Sequence, residues 1–212
     1  MKRRDFAINS VAAASLATLP LASLAQKRKD AVVLGMTLEP TGLDPTAGAA
    51  SAIAEIVQYN VFETLTKVNS DGSVTPLLAE SWEVSPDLKT YTFKLRKGVK
   101  FQNGEPFNAN TVKFSFERAA GEKSTNKDKR TFASMERVGV VDEHTVVVIN
   151  KELNPDFLFL MGQATAILVE PKSADTNATK PVGTGPYKLE SWNKGASVTL
   201  AKWPEYRNAA AI

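Results

Sequence analysis

The sequence predicts an α/β protein with much antiparallel pairing. Two observations carry that expectation. Apolar residues recur at helical spacing over Ser51–Leu65 and Asn110–Ala120. Elsewhere they alternate, as in Tyr91, Phe93 and Leu95 against Thr92, Lys94 and Arg96. The alternating segments come in adjacent pairs with short turns between them, the mark of hairpins.

The chain has 212 residues, a formal net charge of +3 and 43% hydrophobic residues, ordinary values for a globular protein. It opens with "MKRRDFAINSVAAASLATLPLASLAQ", a basic start, an apolar middle and a small-residue end. Val11–Leu24 is too short and alanine-rich to span a bilayer, and Pro20 interrupts it. Residues 1–25 therefore read as an export signal cut after Ala25. Arg3 and Arg4, followed by Asp5 and Phe6, resemble the twin-arginine type. A general secretory signal carrying two arginines is the alternative. Either route predicts a periplasmic protein.

Removing the signal takes away Lys2, Arg3, Arg4 and Asp5, leaving 23 basic against 22 acidic residues. No basic face for nucleic acid is expected from that balance. There is no cysteine, hence no disulfide, thiolate metal site or thiol nucleophile.

The mature chain reads in order. Ala31–Leu38 reads as a first strand closed by Pro40. A loop with Gly42, Pro45 and Gly48 follows. In the helix over Ser51–Leu65, Ile53, Ile56, Val57, Val61 and Leu65 share one face. Trp82 and Val84 lead through "SPDL" into the Tyr91–Leu95 strand, and Asn103-Gly104 marks another turn. The next helix, Asn110–Ala120, carries Val112, Phe116 and Ala119 on one face. "GEKSTNKDKR" has no apolar anchor and reads as a mobile surface loop. "GVVDEHTVVVIN" is a hairpin turning at Asp142–Thr145. "NPDFLFLMG" has the marks of a helix start, with Asn154 as cap and Pro155 at the first position. A short strand is expected at Ala166–Val169. Tyr187–Trp192 and Ser197–Lys202, joined by "NKGA", form a second hairpin.

Candidate chemistry is sparse. "PVGTGPYKLESW" holds two glycines in phosphate-loop spacing, but the third-glycine position is Lys188, Pro186 lacks an N–H, and the residues after it alternate. His144 is the lone histidine and sits in a predicted turn beside Asp142 and Glu143. Without a second histidine or a cysteine, the familiar nucleophile–base sets are missing, and no metal or cofactor site is expected. Nothing in the spacing selects Asp142 and Glu143 for glycoside chemistry over surface charge. Asn177-Ala178-Thr179 fits a glycosylation pattern, which a bacterial-type signal disfavours.

Several ordered motifs resemble the family 5 extracytoplasmic solute-binding proteins, the peptide-, opine- and nickel-binding receptors of ABC importers. "LEPTGLDPT" precedes a helix ending "VFETL". "DGSVTPLLAESWEVSPDLKTYTFKLRKGVKFQNGEPFNANTVKFSFERA" is similar to the family's most recognisable block. "VVDEHTVVV", "GTGPYKLESW" and "VTLAKWPEY" follow in order, so the resemblance runs from Leu34 to Tyr206.

The resemblance implies a two-lobed type II periplasmic-binding-protein fold. Residues 26–70 and 181–212 would belong to the first lobe and 71–180 to its inserted subdomain, with the second lobe absent. In the family, "GTGPY" is a structural turn. The implied function is a receptor, not an enzyme, without cofactor. It would bind a peptide-like ligand by lobe closure, deliver it to an inner-membrane permease, and be monomeric at full length. Gly48, Ala49, Ala50 and Ser51 match the segment that lines the cleft in peptide-binding relatives. Phe132, in "RTFASM", matches an aromatic position that approaches the ligand from the subdomain. A hydrolase, or a lone-lobe structural or chaperone-like module, is the alternative.

Overall fold

The computed structural model describes residues 30–212, and the predicted signal residues Arg3, Arg4, Phe6 and Ala25 lie outside them. The chain divides into Met1–Gly35 and Met36–Ile212. In the first unit the described residues form no strand, and Val32, Val33 and Leu34 are 84%, 94% and 80% exposed. Nor does a strand form at Met36–Leu38. Ala31–Leu38 is rich in apolar residues, but a strand exists only through a ladder partner, and no described strand pairs with it.

The second unit begins its regular structure with helix α1, Ser51–Val57. The predicted face is buried as expected, with Ile53, Ile56, Val57, Val61 and Leu65 all at 7% exposure or less. Yet the helix stops eight residues before Leu65. Gln58 is extended, and Tyr59 takes φ 60, a strained state for an aromatic residue. Its side chain holds it there. The Tyr59 hydroxyl donates to the Gly162 carbonyl (2.6 Å) and accepts from the Val68 amide (3.0 Å). Val61 and Leu65 are thus buried by a turn that brings them back to the core, not by helical period.

Short strands β1 (Thr66–Val68) and β2 (Val74–Pro76) form a small hairpin. Then comes the main sheet, in the order β3 (Ala79–Val84), β4 (Thr90–Leu95), β6 (Thr145–Asn150), β5 (Met135–Asp142), with every pairing antiparallel. Register places Trp82 opposite Phe93, and Phe93 opposite Val146. Tyr91, Phe93 and Leu95 point inward with Val146 and Val148, while Lys94 is exposed, as the alternation requires. Helix α2 (Ala109–Ala120) covers that face with Val112, Phe116 and Ala119. Asn108 starts it: its Oδ1 accepts from the Asn110 and Thr111 amides, and Thr111 Oγ1 accepts from the Asn108 amide. Such caps contribute about 1 kcal/mol.

The polar stretch 121–130 is fastened rather than free. Asn126, 5% exposed, donates to the Thr165 carbonyl (2.9 Å), and Asp128 accepts from the Thr165 hydroxyl (2.7 Å). Buried hydrogen bonds replace the apolar anchor that it lacks. It runs into α3 (Lys129–Ala133). The one-turn α4 (Phe157–Leu160) follows "NPD", but Asn154 contributes its backbone carbonyl rather than a side-chain cap. Ala164–Ala166 is a 3-10 turn, and Ile167–Val169 is extended without a ladder. Asn177 is fully buried, its Oδ1 accepting from the Val182 amide (3.0 Å), so its side chain is structural and closed to glycosylation.

Strands β7 (Tyr187–Asn193) and β8 (Ser197–Lys202) complete the second predicted hairpin. Two apolar clusters result. One lies between the main sheet and α2. The other joins Leu43, α1, Val61, Phe62 and Ile167–Ala174, with Leu189, Trp192, Val198 and Leu200 of the hairpin packed on it.

The GTGPY segment crosses the Asn60–Val61 backbone. The Gly185 amide donates to the Val61 carbonyl and the Tyr187 amide to the Asn60 carbonyl, each at 2.9 Å. A Cβ at Gly183 would overlap the Val61 carbonyl oxygen, and one at Gly185 the Asn60 carbonyl oxygen. Two main chains touch here, which only glycine permits.

A buried ion pair fixes the same region from the other side. Glu63, 2% exposed, accepts from Arg207 Nη1 and Nη2 (both 2.6 Å), Thr184 Oγ1 (2.9 Å) and Tyr206 Oη (3.1 Å). Burial, reinforced by the Glu63 charge, pushes the Tyr206 hydroxyl up to about 12.

Candidate functional site

The loop before α1 is built around Asp44, 2% exposed. Its Oδ1 accepts from the Thr46 amide (2.8 Å) and hydroxyl (2.6 Å), and its Oδ2 from Arg118 of α2 (3.2 Å). Arg118 also donates to Thr46 Oγ1 (2.5 Å) and the Ala174 carbonyl (3.3 Å). "LDPT" is thereby pinned to the helix, and the small residues Gly48–Ala50 follow on the surface. Ala49 is exposed, and a Cβ at Gly48 would come within 2.6 Å of Ile53 Cδ1. Ser51 opens α1.

Ser51 is on the wall of a cleft of about 430 Å³. Glu55, Gln58 and Tyr59 of the first segment, Lys127, and Gln163–Thr165 complete the wall. Three parts of the sequence meet there through specific bonds. Thr125 Oγ1 donates to the Ala47 carbonyl (3.2 Å), Asn126 binds Thr165, and Gln58 Nε2 donates to the Gly162 carbonyl (2.9 Å). The wall carries the Glu55 carboxylate, the Lys127 ammonium, the Gln163 amide and the Ser51 hydroxyl, while Gln58, Tyr59 and Thr165 already spend side-chain donors inside the fold. That set can hold a solute with both charges and hydrogen-bonding groups.

Phe132 is placed elsewhere. It is 3% exposed, its ring packs against Phe116 at 5.6 Å, and it borders a separate cleft of about 560 Å³ between α2 and β5. Ser51 and Phe132 therefore border different clefts. Sequence reasoning missed Gln58, Tyr59, Lys127 and Gln163. Gln58-Tyr59 was a visible signal, a polar pair breaking an apolar helical face.

His144 is in the β5–β6 turn, its amide donating to Asp142 (2.8 Å) and its carbonyl accepting from Leu95. That backbone bond, with the Thr145 hydroxyl, lowers the Asp142 carboxyl below its ordinary range. Among the described residues no group of three or more histidine, aspartate or glutamate side chains could hold a metal ion. No helix among them is long and apolar enough to cross a membrane.

The fold and its motifs are those of a bacterial solute-binding-protein family. The model of "Bacterial extracellular solute-binding proteins, family 5 Middle" matches residues 73–212, and the chain belongs to that family. It is 31% identical over 202 residues to the glutathione-binding protein GsiB of Escherichia coli (strain K12), which covers 93% of this chain and 39% of the relative. Among solved structures it is similar to the PBP AgaA of A. tumefacien R10 in complex with agropinic acid, with TM-score 0.74 and 30% identity over 80% of this chain and 35% of that one. Haemophilus influenzae OppA in complex with the peptide RPPGFSPFR gives TM-score 0.74 and 26% identity over 81% of this chain and 38% of that one. The chain thus carries part of the type II periplasmic-binding fold that the resemblance implied, and spans 39% of the length of its GsiB relative.

Proposed function

We propose that this chain is the first-lobe part of an ABC-importer receptor for peptides or peptide-like solutes. The observation that carries the reading is the cleft beside Ser51, where three separated segments present charged and hydrogen-bonding groups on a family 5 scaffold. The relatives' names point to a ligand class with amide and carboxylate groups: a tripeptide thiol, a nonapeptide and an opine. Gly48–Ser51 would expose main-chain groups to such a ligand. Phe132 belongs to the site only if closure carries it there.

In this reading residues 1–25 direct export to the periplasm by the twin-arginine route, and a permease takes the ligand from a monomeric receptor. Residues 26–70 and 181–212 serve as lobe core and 71–180 as inserted subdomain. The two apolar clusters follow that division only in part: α1, Val61 and Phe62 pack with the β7–β8 hairpin, but Ile167, Val169 and Ala174 of 71–180 join them, and Leu65 and Val182 sit with the sheet cluster. The protein acts by binding and not by catalysis, and a panel of ester, peptide and glycoside substrates would expose a hydrolase.

Binding by closure encloses the ligand between two lobes. One lobe makes part of the contacts while most of the immobilisation cost remains. Residues 26–212 alone are expected to bind glutathione or a short peptide at about millimolar affinity or weaker. Isothermal titration tests this, and micromolar binding would overturn the two-lobe mechanism. Ala49→Trp in a chain carrying both lobes should weaken binding at unchanged melting temperature. Unaltered affinity would remove Gly48–Ser51 from the site.

A further inference from the structure

The main sheet has an open edge at β5, whose ladder partner among the described residues is β6 alone. The bonds on either side of β6 decide which backbone groups of that edge are free. The Asn150 amide donates to the Lys89 carbonyl (2.9 Å) and the Leu95 amide to the His144 carbonyl (2.8 Å), so the even-numbered positions of β6 face β4. The Lys151 amide donates to the Ser134 carbonyl (3.0 Å), so the odd-numbered positions face β5. There Val147 pairs with Gly139 and Ile149 with Arg137. Val138 and Val140 alternate with these and therefore turn their N–H and C=O groups to the open side. No hydrogen bond from another described residue reaches those groups.

That edge is one wall of the cleft of about 560 Å³. The other wall is a stripe of α2, Asn110, Lys113, Glu117 and Ala120, at helical spacing. The Ala109 amide sets the helix alongside by donating to the Glu143 carbonyl (2.9 Å) past the end of β5. Val140 is 38% exposed, and Val138 and Ala120 are half-buried. Lys113 and Glu117 pair with each other, so the helix wall holds no free charge for a terminal ammonium or carboxylate. Bulges shift the register at both ends of Arg137–Val140. They twist the edge away on either side, which disfavours a long sheet-to-sheet pairing with a second copy but leaves room for a short strand. We propose that the groove between α2 and β5 takes a short internal segment of another polypeptide as a fifth strand, bonded through Val138 and Val140, with small apolar side chains against Ala120. This groove shares no lining residue with the cleft beside Ser51, and its assignment is independent of the receptor reading.

The test titrates acetyl-Thr-Val-Thr-Val-Thr-amide into the ¹⁵N-labelled chain and reads amide hydrogen exchange. At about ten times the half-saturating peptide concentration, exchange at Val138 and Val140 should slow about tenfold. Arg137 and Gly139, already bonded to β6, should not change. Methylating one alternate set of peptide nitrogens should abolish the response and methylating the other should preserve it, because only one edge of the peptide meets β5. The methylated peptides leave the protein untouched, so this arm does not depend on a variant folding. Ala120→Trp should raise the half-saturating concentration about tenfold by filling the groove. The same peptide with free termini should bind no more tightly. The proposal would be overturned by unchanged exchange at Val138 and Val140, by equal responses to both methylated peptides, by an unmoved half-point in Ala120→Trp, by tighter binding of the free-terminus peptide, or by protection that rises with protein concentration alone.

Discussion

Two buried carboxylates, Asp44 and Glu63, each meet an arginine distant in sequence, and they do so differently. Glu63 takes both Arg207 N–H groups at 2.6 Å and two further hydroxyls. Asp44 takes one Arg118 N–H at 3.2 Å and spends its other oxygen on Thr46, two residues away. Arg118 in turn has two other acceptors, Thr46 Oγ1 and the Ala174 carbonyl. The first is a saturated clamp between chain segments. The second is a loop-shaping device that borrows an arginine. The same residue types thus serve rigidity in one place and presentation of a surface loop in the other.

The difference is measurable. Glu63→Ala strands the Arg207 guanidinium and should cost about 3–5 kcal/mol, read as a fall in the urea midpoint. Replacing both partners with methionine should cost less than Glu63→Ala alone, because no charge is left unpaired. Gly185→Ala attacks the neighbouring backbone crossing directly and should cost about 3 kcal/mol through overpacking. A wild-type midpoint would mean that the Asn60 carbonyl yields easily. Asp44→Ala should cost about 1–3 kcal/mol, because Arg118 keeps two acceptors. A loss equal to that of Glu63→Ala would erase the contrast.

Tyr206 tests the clamp without breaking it. Its folded pKa, about 12, lies above the ordinary value of 10.0, so the unfolded chain loses this proton first. Its contribution is present below pH 10 and is lost as pH rises from 10 toward 12. Tyr206→Phe should flatten the stability profile in that window, as followed by chemical denaturation at stepped pH. The smallest effect is expected at His144, where His144→Gln should change stability by less than about 0.5 kcal/mol, since its bonds in the turn are made by the backbone.

Much of this architecture was legible in the sequence because it is local. Tyr91–Leu95, the β5–β6 hairpin and α2 announce themselves by period and turn chemistry, and the burial of Phe93, Val146 and Phe116 follows. What stayed hidden depends on distant partners. The early end of α1 is fixed by Gly162 through Tyr59, the anchoring of 121–130 by Thr165 through Asn126, and the missing strand at Ala31–Leu38 by the lack of a neighbour among the described residues. The cleft beside α1 divided the same way. Ser51 was singled out from a motif, whereas Lys127 and Gln163 come to its wall only through tertiary bonds.

The backbone crossing at Gly183 and Gly185 also sets an order of events in time. Strands β3–β4 and β5–β6 pair as local hairpins and β4–β6 joins them at intermediate separation, whereas the Asn60 and Val61 carbonyls must wait for partners more than a hundred residues away. Closing so long a loop is slow, and its entropy must be offset before the contact can stabilise anything. On a ribosome the four-stranded sheet can therefore consolidate while the Asn60 carbonyl still faces water, and the Leu43–Phe62 cluster sets only when the segment carrying Gly185 and Arg207 arrives. A refolding experiment should show β-sheet signal preceding burial of Trp203.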